Sequence, residues 1–167
     1  MGITDAFTRE IDQEAATTRR VLERVPDDKL GWKPHAKSMS LGRLAQHVAE
    51  GPGLIASWAL KDVFEFSGPQ PHPEPTSNAA VLAAHEASCA TIKDVLNQLG
   101  DAGLQKQWEA RAGGKTIFTM PKAALIRTIA INHWIHHRGQ LSVYLRILDV
   151  PVPSIYGPSA DENPFRG

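Results

Sequence analysis

Apolar residues recur every three or four positions in four stretches of the chain, which is the spacing of amphipathic helices. These stretches predict helices over about residues 4–25, 41–60, 78–99 and 121–148. Pro26 ends the first helix, and Ser40 is placed to cap the second. Pro52 lies inside the second helix between two glycines, so we expect a kink or break near Gly51.

The segments between the helices complete the predicted architecture. Residues 67–75 contain four prolines and a glycine, which predicts an extended surface connection. Residues 115–119 fit either a short strand or an extended loop. Four helices with these connections predict an all-α fold, a four-helix bundle in which the proline-rich segment is a crossover between helices 2 and 3. We treat residues 1–167 as a single helical-bundle domain.

Composition narrows the class of function. Lys and Arg together number 18, as do Asp and Glu, so the formal charge is zero and a dedicated nucleic-acid binder is not expected. The one cysteine excludes an internal disulfide and a zinc site built from several thiolates. We see no signal peptide and no apolar run long enough to span a membrane, so we expect a cytoplasmic protein without membrane contacts.

Histidines are concentrated in the fourth predicted helix. His133 and His137 are four residues apart, so their rings project from one face, roughly 40° apart around the helix axis. Helical unwrapping places both near the middle of the apolar stripe and places His136 to one side, at the rim or surface. The same procedure places His47 on the inward face of the second helix, from which a bundle can bring it to the other two.

Three imidazoles from two helices suggest a metal site. Imidazole is the commonest protein ligand of metal ions and suits zinc, nickel, copper and iron. Three protein ligands with further positions open are typical of a catalytic site. A histidine on an apolar helix face is more often a hydrogen-bonded core residue, however, so the spacing alone leaves both interpretations open.

Four further residues have two interpretations each. Gln140 falls on the histidine face and is either a hydrogen-bond partner of a ligand or a polar rim residue. Glu50 is a candidate base or ligand-orienting group, or else a solvated carboxylate. His85 points inward from the third helix and is a candidate fourth ligand, although a satisfied core histidine is favoured. Cys89 is interpreted as a small buried hydrophobe rather than a nucleophile.

Residues around and after the histidines carry further expectations. Arg138 lies about 100° beyond His137 around the helix, so we expect it to pair with a carboxylate or with a partner subunit. Gly139 in mid-helix indicates the close approach of another helix. Trp134 is expected to be a packing residue, although an exposed Trp134 would be compatible with a dimer. Tyr156 is placed to anchor an irregular C-terminal tail.

Three segments resemble a known family. SLGRLAQHVAE (residues 40–50), NHWIHHRGQLSVYLR (residues 132–146) and PSIYGPSAD (residues 153–161) are similar to the DinB/YfiT-like superfamily of bacterial four-helix bundles, with the His-Arg-Gly-Gln block the most specific part. The resemblance implies an up-down-down-up order of helices and, often, a homodimer. It also implies that His47, His133 and His137 bind one divalent ion, which is nickel, zinc or iron.

The resemblance also implies an activity. Characterised members of the superfamily include bacillithiol S-transferases and a mycothiol-dependent isomerase, which suggests a detoxifying thiol S-transferase with a small-molecule thiol and an electrophile as partners. Two alternatives stay open. One is a hydrolase that uses metal-bound hydroxide. The other is a non-enzymatic metal-binding protein of the stress response, with coordination closed by a fourth protein group such as His85.

Overall fold

Four helical rods form most of the protein, whose computed structural model describes residues 2–68 and 73–165. The first three rods are α1 (Ile3–Leu22), α2 (Leu41–Trp58) and α3 (Asn78–Leu104). The fourth rod begins as α4 (Lys122–Ala124), continues as a π-helical segment (Leu125–Ile131) and ends as α5 (Asn132–Ile147). A short 3₁₀ turn, Asp27–Lys29, follows α1. The rods pack in the cyclic order α1, α3, α2, α5.

A three-stranded sheet accompanies the helices, so the prediction of an all-α bundle is wrong. Its strands are β1 (Val63–Phe66), β2 (Gln107–Ala112) and β3 (Lys115–Pro121), in the order β1-β2-β3. β1 pairs with β2 in parallel, whereas β2 pairs with β3 antiparallel. Parallel neighbours require a long crossover, and here the crossover contains α3. The fold is therefore a helical bundle with a small mixed sheet.

A tight hairpin joins β2 to β3. Gly113 and Gly114 have φ angles of 57° and 74°, which is the conformation that a two-residue type I′ turn requires. Trp108 and Ala110 of β2 are fully buried, and the indole Nε1 of Trp108 donates a hydrogen bond of 3.1 Å to the carbonyl oxygen of Trp58. The sheet thus packs against the C-terminal end of α2, and residues 115–119 form strand rather than loop.

One of two predicted helix ends is confirmed and the other is displaced. Ser40 accepts a hydrogen bond of 3.0 Å from the backbone N–H of Arg43, which confirms it as the N-cap of α2. α3 continues five residues beyond its predicted end, because Gly100 adopts φ 58° and ψ −180° and allows another helical turn after a kink.

No helix in the described ranges is both long and apolar enough to cross a membrane. A cytoplasmic location and a homodimer stay predictions.

Of the kink or break expected near Gly51, the break does not occur, because α2 continues through Pro52. Proline cannot donate a backbone hydrogen bond, and Ser88 of α3 compensates for the disturbed ladder. The N–H of Gly53 donates to Ser88 Oγ at 2.8 Å, and Ser88 Oγ donates to the carbonyl of Glu50 at 3.1 Å. A Cβ at Gly53 would lie 2.8 Å from the backbone oxygen of Ser88, so glycine is needed for α2 and α3 to approach this closely.

Gly139 of α5 is the opposite case. Its own helix and chain neighbours aside, nothing in the described residues lies within 4 Å of the position that a Cβ would occupy, and the residue is exposed. The close helix approach expected there is therefore not made by any described part of the chain.

These two glycines should respond oppositely to alanine. Gly53→Ala should lower the free energy of unfolding by about 1–3 kcal/mol, because the new methyl group overpacks the α2–α3 contact. Gly139→Ala should raise it by about 0.5–1 kcal/mol, because glycine in mid-helix costs conformational entropy. Urea unfolding with chelator present measures both without a contribution from metal. An unchanged free energy of unfolding in Gly53→Ala would contradict the close contact with Ser88.

Candidate metal centre

Three histidine side chains from two helices converge on one point. His47 lies in the middle of α2, and His133 and His137 lie one turn apart at the start of α5. One ring nitrogen from each lies within 4.8 Å of the other two. His47 Nε2 is 2.8 Å from His133 Nε2, and the three pairs of ring centroids are between 4.4 and 4.9 Å apart. No other such group of histidine, cysteine or carboxylate donors occurs within residues 2–68 and 73–165.

This donor set fits a divalent cation. Zinc–imidazole bonds of about 2.0–2.1 Å place two nitrogens on one ion about 2.8–3.4 Å apart, depending on the angle at the metal. The 2.8 Å between His47 Nε2 and His133 Nε2 lies at the lower end of this range. Burial lowers the pKa of His133 and His137, which favours the neutral imidazole that metals require. The three histidines can therefore form a metal site.

The histidines lie at the edge of the buried face of α5. The fully buried positions of this helix are one residue further along, at Trp134, Arg138, Leu141 and Leu145. His133 and His137 are half-buried and His136 is exposed, so the prediction for His136 is confirmed. The prediction that His133 and His137 occupy the middle of the stripe is wrong by about 100°. Trp134 is 2% exposed, so it is a packing residue and the exposed alternative is wrong.

The π-helical segment explains this difference. The apolar stripe that 3.6 residues per turn predicts joins Ile126, Ile129 and Ala130, which lie in Leu125–Ile131, to Leu141, Tyr144 and Leu148, which follow the histidines. The wider turns of a π-helix rotate the chain by a smaller angle per residue, so a stripe drawn with a constant angle is displaced in α5. With this displacement, the rings of His133 and His137 lie at a half-buried edge of the bundle.

Gln140 orients one of the three rings. Its Oε1 accepts a hydrogen bond of 2.7 Å from Nδ1 of His137. The proton is thereby kept on Nδ1, which leaves Nε2 of His137 as the donor towards a cation. The interpretation of Gln140 as a hydrogen-bond partner of a candidate ligand is confirmed.

The remaining candidates lie outside the cluster. His85 is buried, its Nε2 donates to the carbonyl oxygen of Ala15 at 3.1 Å, and burial lowers its pKa. It is a satisfied core histidine and is not a member of the three-histidine group. Burial raises the pKa of the Cys89 thiol to about 11, so this thiol stays protonated and unreactive at neutral pH. The carboxylate of Glu50 accepts a hydrogen bond from the side chain of Gln46.

A cleft of about 470 Å³ opens beside His137, between α5 and the loop that precedes α2. Its walls include Met39 from the loop and Tyr144 from α5. The hydroxyl of Tyr144 donates a hydrogen bond of 3.4 Å to the carbonyl of Met39, and its ring meets Trp32 edge-on with centroids 5.7 Å apart. The loop is thus attached to α5, and the cleft has the size of a small-molecule site.

Arg138, the residue after His137, forms a buried ion pair. Its side chain is 1% exposed, and Nη1 lies 2.6 Å from a carboxylate oxygen of Glu14 and 3.0 Å from Thr18 Oγ1. The hydroxyl of Tyr156 accepts from Arg138 at 2.7 Å and donates to Glu14 at 2.8 Å. This network confirms that Arg138 pairs with a carboxylate and that Tyr156 anchors the tail. Glu14 was not among the residues singled out from the sequence. Its position in the apolar stripe of α1 is a signal that could have indicated a buried ion pair.

Metal affinity should depend on His133 and His137, which belong to the three-histidine group, and not on His136, which is exposed. His133→Ala or His137→Ala should abolish tight binding of zinc or nickel, whereas His136→Ala should leave it nearly intact. Gln140→Ala should weaken binding about 10- to 100-fold, because the His137 ring loses the partner that fixes its tautomer. Calorimetric titration of untagged protein measures these affinities. Equal losses in His133→Ala and His136→Ala would show that the assignment of faces on α5 is wrong.

The buried ion pair should dominate the stability of this region. Arg138→Met should lower the free energy of unfolding by about 3–5 kcal/mol, because Glu14 would remain as an uncompensated buried charge. Tyr156→Phe should cost about 1–3 kcal/mol through the lost hydrogen bonds to charged groups.

A matched control is available for this measurement by urea unfolding. Lys93 forms an ion pair of 2.7 Å with Asp12 on the surface, and its side chain is 40% exposed. Lys93→Met should therefore cost less than about 1 kcal/mol. A similar loss in Lys93→Met and Arg138→Met would contradict the special contribution of burial.

Two proteins of Bacillus subtilis are similar to this chain in sequence. YrdA, an uncharacterized protein, is 31% identical over 160 residues, which are 95% of this chain and 90% of YrdA. YjoA, also uncharacterized, is 28% identical over 132 residues, or 77% of this chain and 80% of YjoA. Neither relative therefore indicates an activity for this chain.

Solved structures and a family model give the remaining comparisons. A DinB-like protein from Bacillus cereus has a TM-score of 0.72 and 24% identity, covering 91% of this chain and 97% of its own. The DinB-like protein YjoA has a TM-score of 0.69 and 21% identity, and the match covers 90% of this chain and 97% of the YjoA chain. At this identity the structures show a shared fold alone. The model of the DinB family matches residues 1–164, and the chain therefore belongs to the DinB family.

Proposed function

We propose that this protein is a metal-dependent thiol S-transferase that acts on small electrophilic molecules. The observation that carries the proposal is the position of the three histidines, at a half-buried edge of the bundle beside a cleft of about 470 Å³. His47, His133 and His137 would hold one nickel, zinc or iron ion, and Gln140 would orient His137. The ion would supply a Lewis acid that favours the thiolate form of a small-molecule thiol.

The number of protein donors supports a catalytic site over a closed one. A structural site would be completed by a fourth protein ligand, for which His85 was the candidate. His85 instead donates to Ala15, and only three donors converge in the described part of the chain. Positions on the ion would then remain for a small molecule.

The state of Cys89 supports a thiol supplied from outside. Cys89 is the one cysteine of the chain, and its thiol pKa of about 11 keeps it protonated at neutral pH. It lies beside His85, between α1 and α3, and does not border the cleft next to His137. The sulfur nucleophile would therefore come from a low-molecular-weight thiol, and the role of the protein would be to activate and position it.

Conjugation of a thiol to monochlorobimane tests this function. Untagged protein loaded with zinc or nickel should accelerate formation of the fluorescent conjugate, and the rate should saturate with thiol across a panel that includes bacillithiol, mycothiol and cysteine. His133→Ala should reduce the rate to the uncatalysed background, because the ion loses a ligand. Cys89→Ala, the matched control, should keep the full rate.

Two results would contradict the proposal. Failure with every thiol, together with metal-dependent hydrolysis of an ester or amide, would favour a hydrolase. Failure of both reactions, in protein shown to hold its ion, would favour a non-enzymatic metal-binding protein.

A further inference from the structure

The cleft beside His137 is bordered by a lysine and by no acidic residue. Lys37 lies on its loop side, and His137 and Gln140 lie on its α5 side. Of the carboxylates in the described ranges, none forms an ion pair with Lys37. The ammonium group of Lys37 is therefore available to a ligand in the cleft.

Lys37 is carried on a turn with defined backbone contacts. Its N–H donates to Nδ1 of His35 at 3.1 Å, and the N–H of Ser38 donates to the carbonyl of His35 at 2.9 Å. The next residue, Met39, accepts the hydrogen bond from Tyr144 of α5. The base of the Lys37 side chain is thus held relative to the helix that carries His137, which is the condition for a specific contact.

Among the described residues that line the cleft, Lys37 carries the one charged side chain. Glu50, one turn after His47 on α2, accepts a hydrogen bond from Gln46 and does not line the cleft. Three neutral imidazoles leave a bound divalent ion with its double positive charge. Arg43 lies one turn before His47 on α2 and, like Lys37, forms no ion pair with a described residue. Glu74, the carboxylate that contacts the start of α2, accepts a hydrogen bond of 2.6 Å from Ser40. A ligand that fills the cleft would therefore gain from carrying negative charge.

We propose that Lys37 binds a carboxylate of the small-molecule thiol whose sulfur is directed to the histidine site. This inference rests on the proposed thiol chemistry and names its substrate class, a thiol with an acidic group a few bonds from sulfur. Lys37 holds the carboxylate at the loop side of the cleft. Met39 and Val143, which also line the cleft, contact the carbon chain between the two groups. The protein thereby selects acidic thiols over neutral ones.

Two thiols of similar shape test the inference with the cobalt-loaded protein. 3-Mercaptopropionate and 3-mercaptopropionamide have nearly the same shape and differ in one terminal group, a charged carboxylate or a neutral amide. Sulfur binding to cobalt is followed by its near-ultraviolet charge-transfer band. Lys37→Gln should weaken the affinity for the carboxylate about tenfold, because the charge-assisted contact is lost, and should leave the amide unchanged. Because each thiol is compared between wild type and variant, differences in thiol pKa cancel.

Lys33→Gln is the matched control. Lys33 lies on the same loop but does not line the cleft, so its loss changes the net charge equally and should leave both affinities unaltered. Cobalt stoichiometry establishes that each variant is folded and has an intact metal site.

Each result decides the inference. Unchanged or equally weakened affinities for both thiols in Lys37→Gln would overturn the role of Lys37 and leave the transferase proposal standing. The same tenfold loss in Lys33→Gln would replace a specific contact with a general effect of charge. If neither thiol alters the spectrum of the wild-type protein, both the inference and the thiol chemistry on which it rests are wrong.

Discussion

Contact between α2 and α5 is the constraint on which the histidine site depends. Across this contact, His47 Nε2 lies 2.8 Å from His133 Nε2. A shift of α2 along its axis by one residue, about 1.5 Å, would move His47 by more than half of this separation between the two nitrogens. The register of α2 is held from its other side, where Gly53 and Ser88 bring the backbones of α2 and α3 into direct contact. Ser88 therefore compensates for Pro52 within α2 and also fixes the position of α2 against α3.

Rotation of α5 about its axis is fixed by the neighbour of a candidate ligand. Arg138 must face Glu14 and Thr18 of α1, because an unpaired guanidinium in the core would be strongly unfavourable. With Arg138 turned inward, His137 is held about 100° away, at the half-buried edge. Tyr156 completes the network, so the C-terminal tail contributes to the orientation of the site. Stability and ligand geometry are therefore coupled through one side chain.

Sequence patterns predicted what local periodicity determines and missed what distant contacts determine. The helices, and the shared face of His133 and His137, follow from spacing along single rods, whereas the convergence of His47 with them is what the family resemblance implies. β1 has four residues and pairs with β2, more than 40 positions away, so no local pattern marks it as a strand. The cleft was missed for the same reason, because the loop that carries Lys37 is positioned by Trp32 and Tyr144 across the fold.

The half-buried position of the histidines reconciles two requirements of the proposed chemistry. Burial lowers the pKa of His133 and His137 and so favours the neutral rings that bind a cation. At the centre of the apolar stripe, where constant periodicity placed them, the same rings would be enclosed by Leu141 and Leu145 and closed to a substrate. The observed position, one residue from the buried face of α5, leaves the rings half-buried, and the proposed reaction would need this exposure for a small molecule to reach an ion held there.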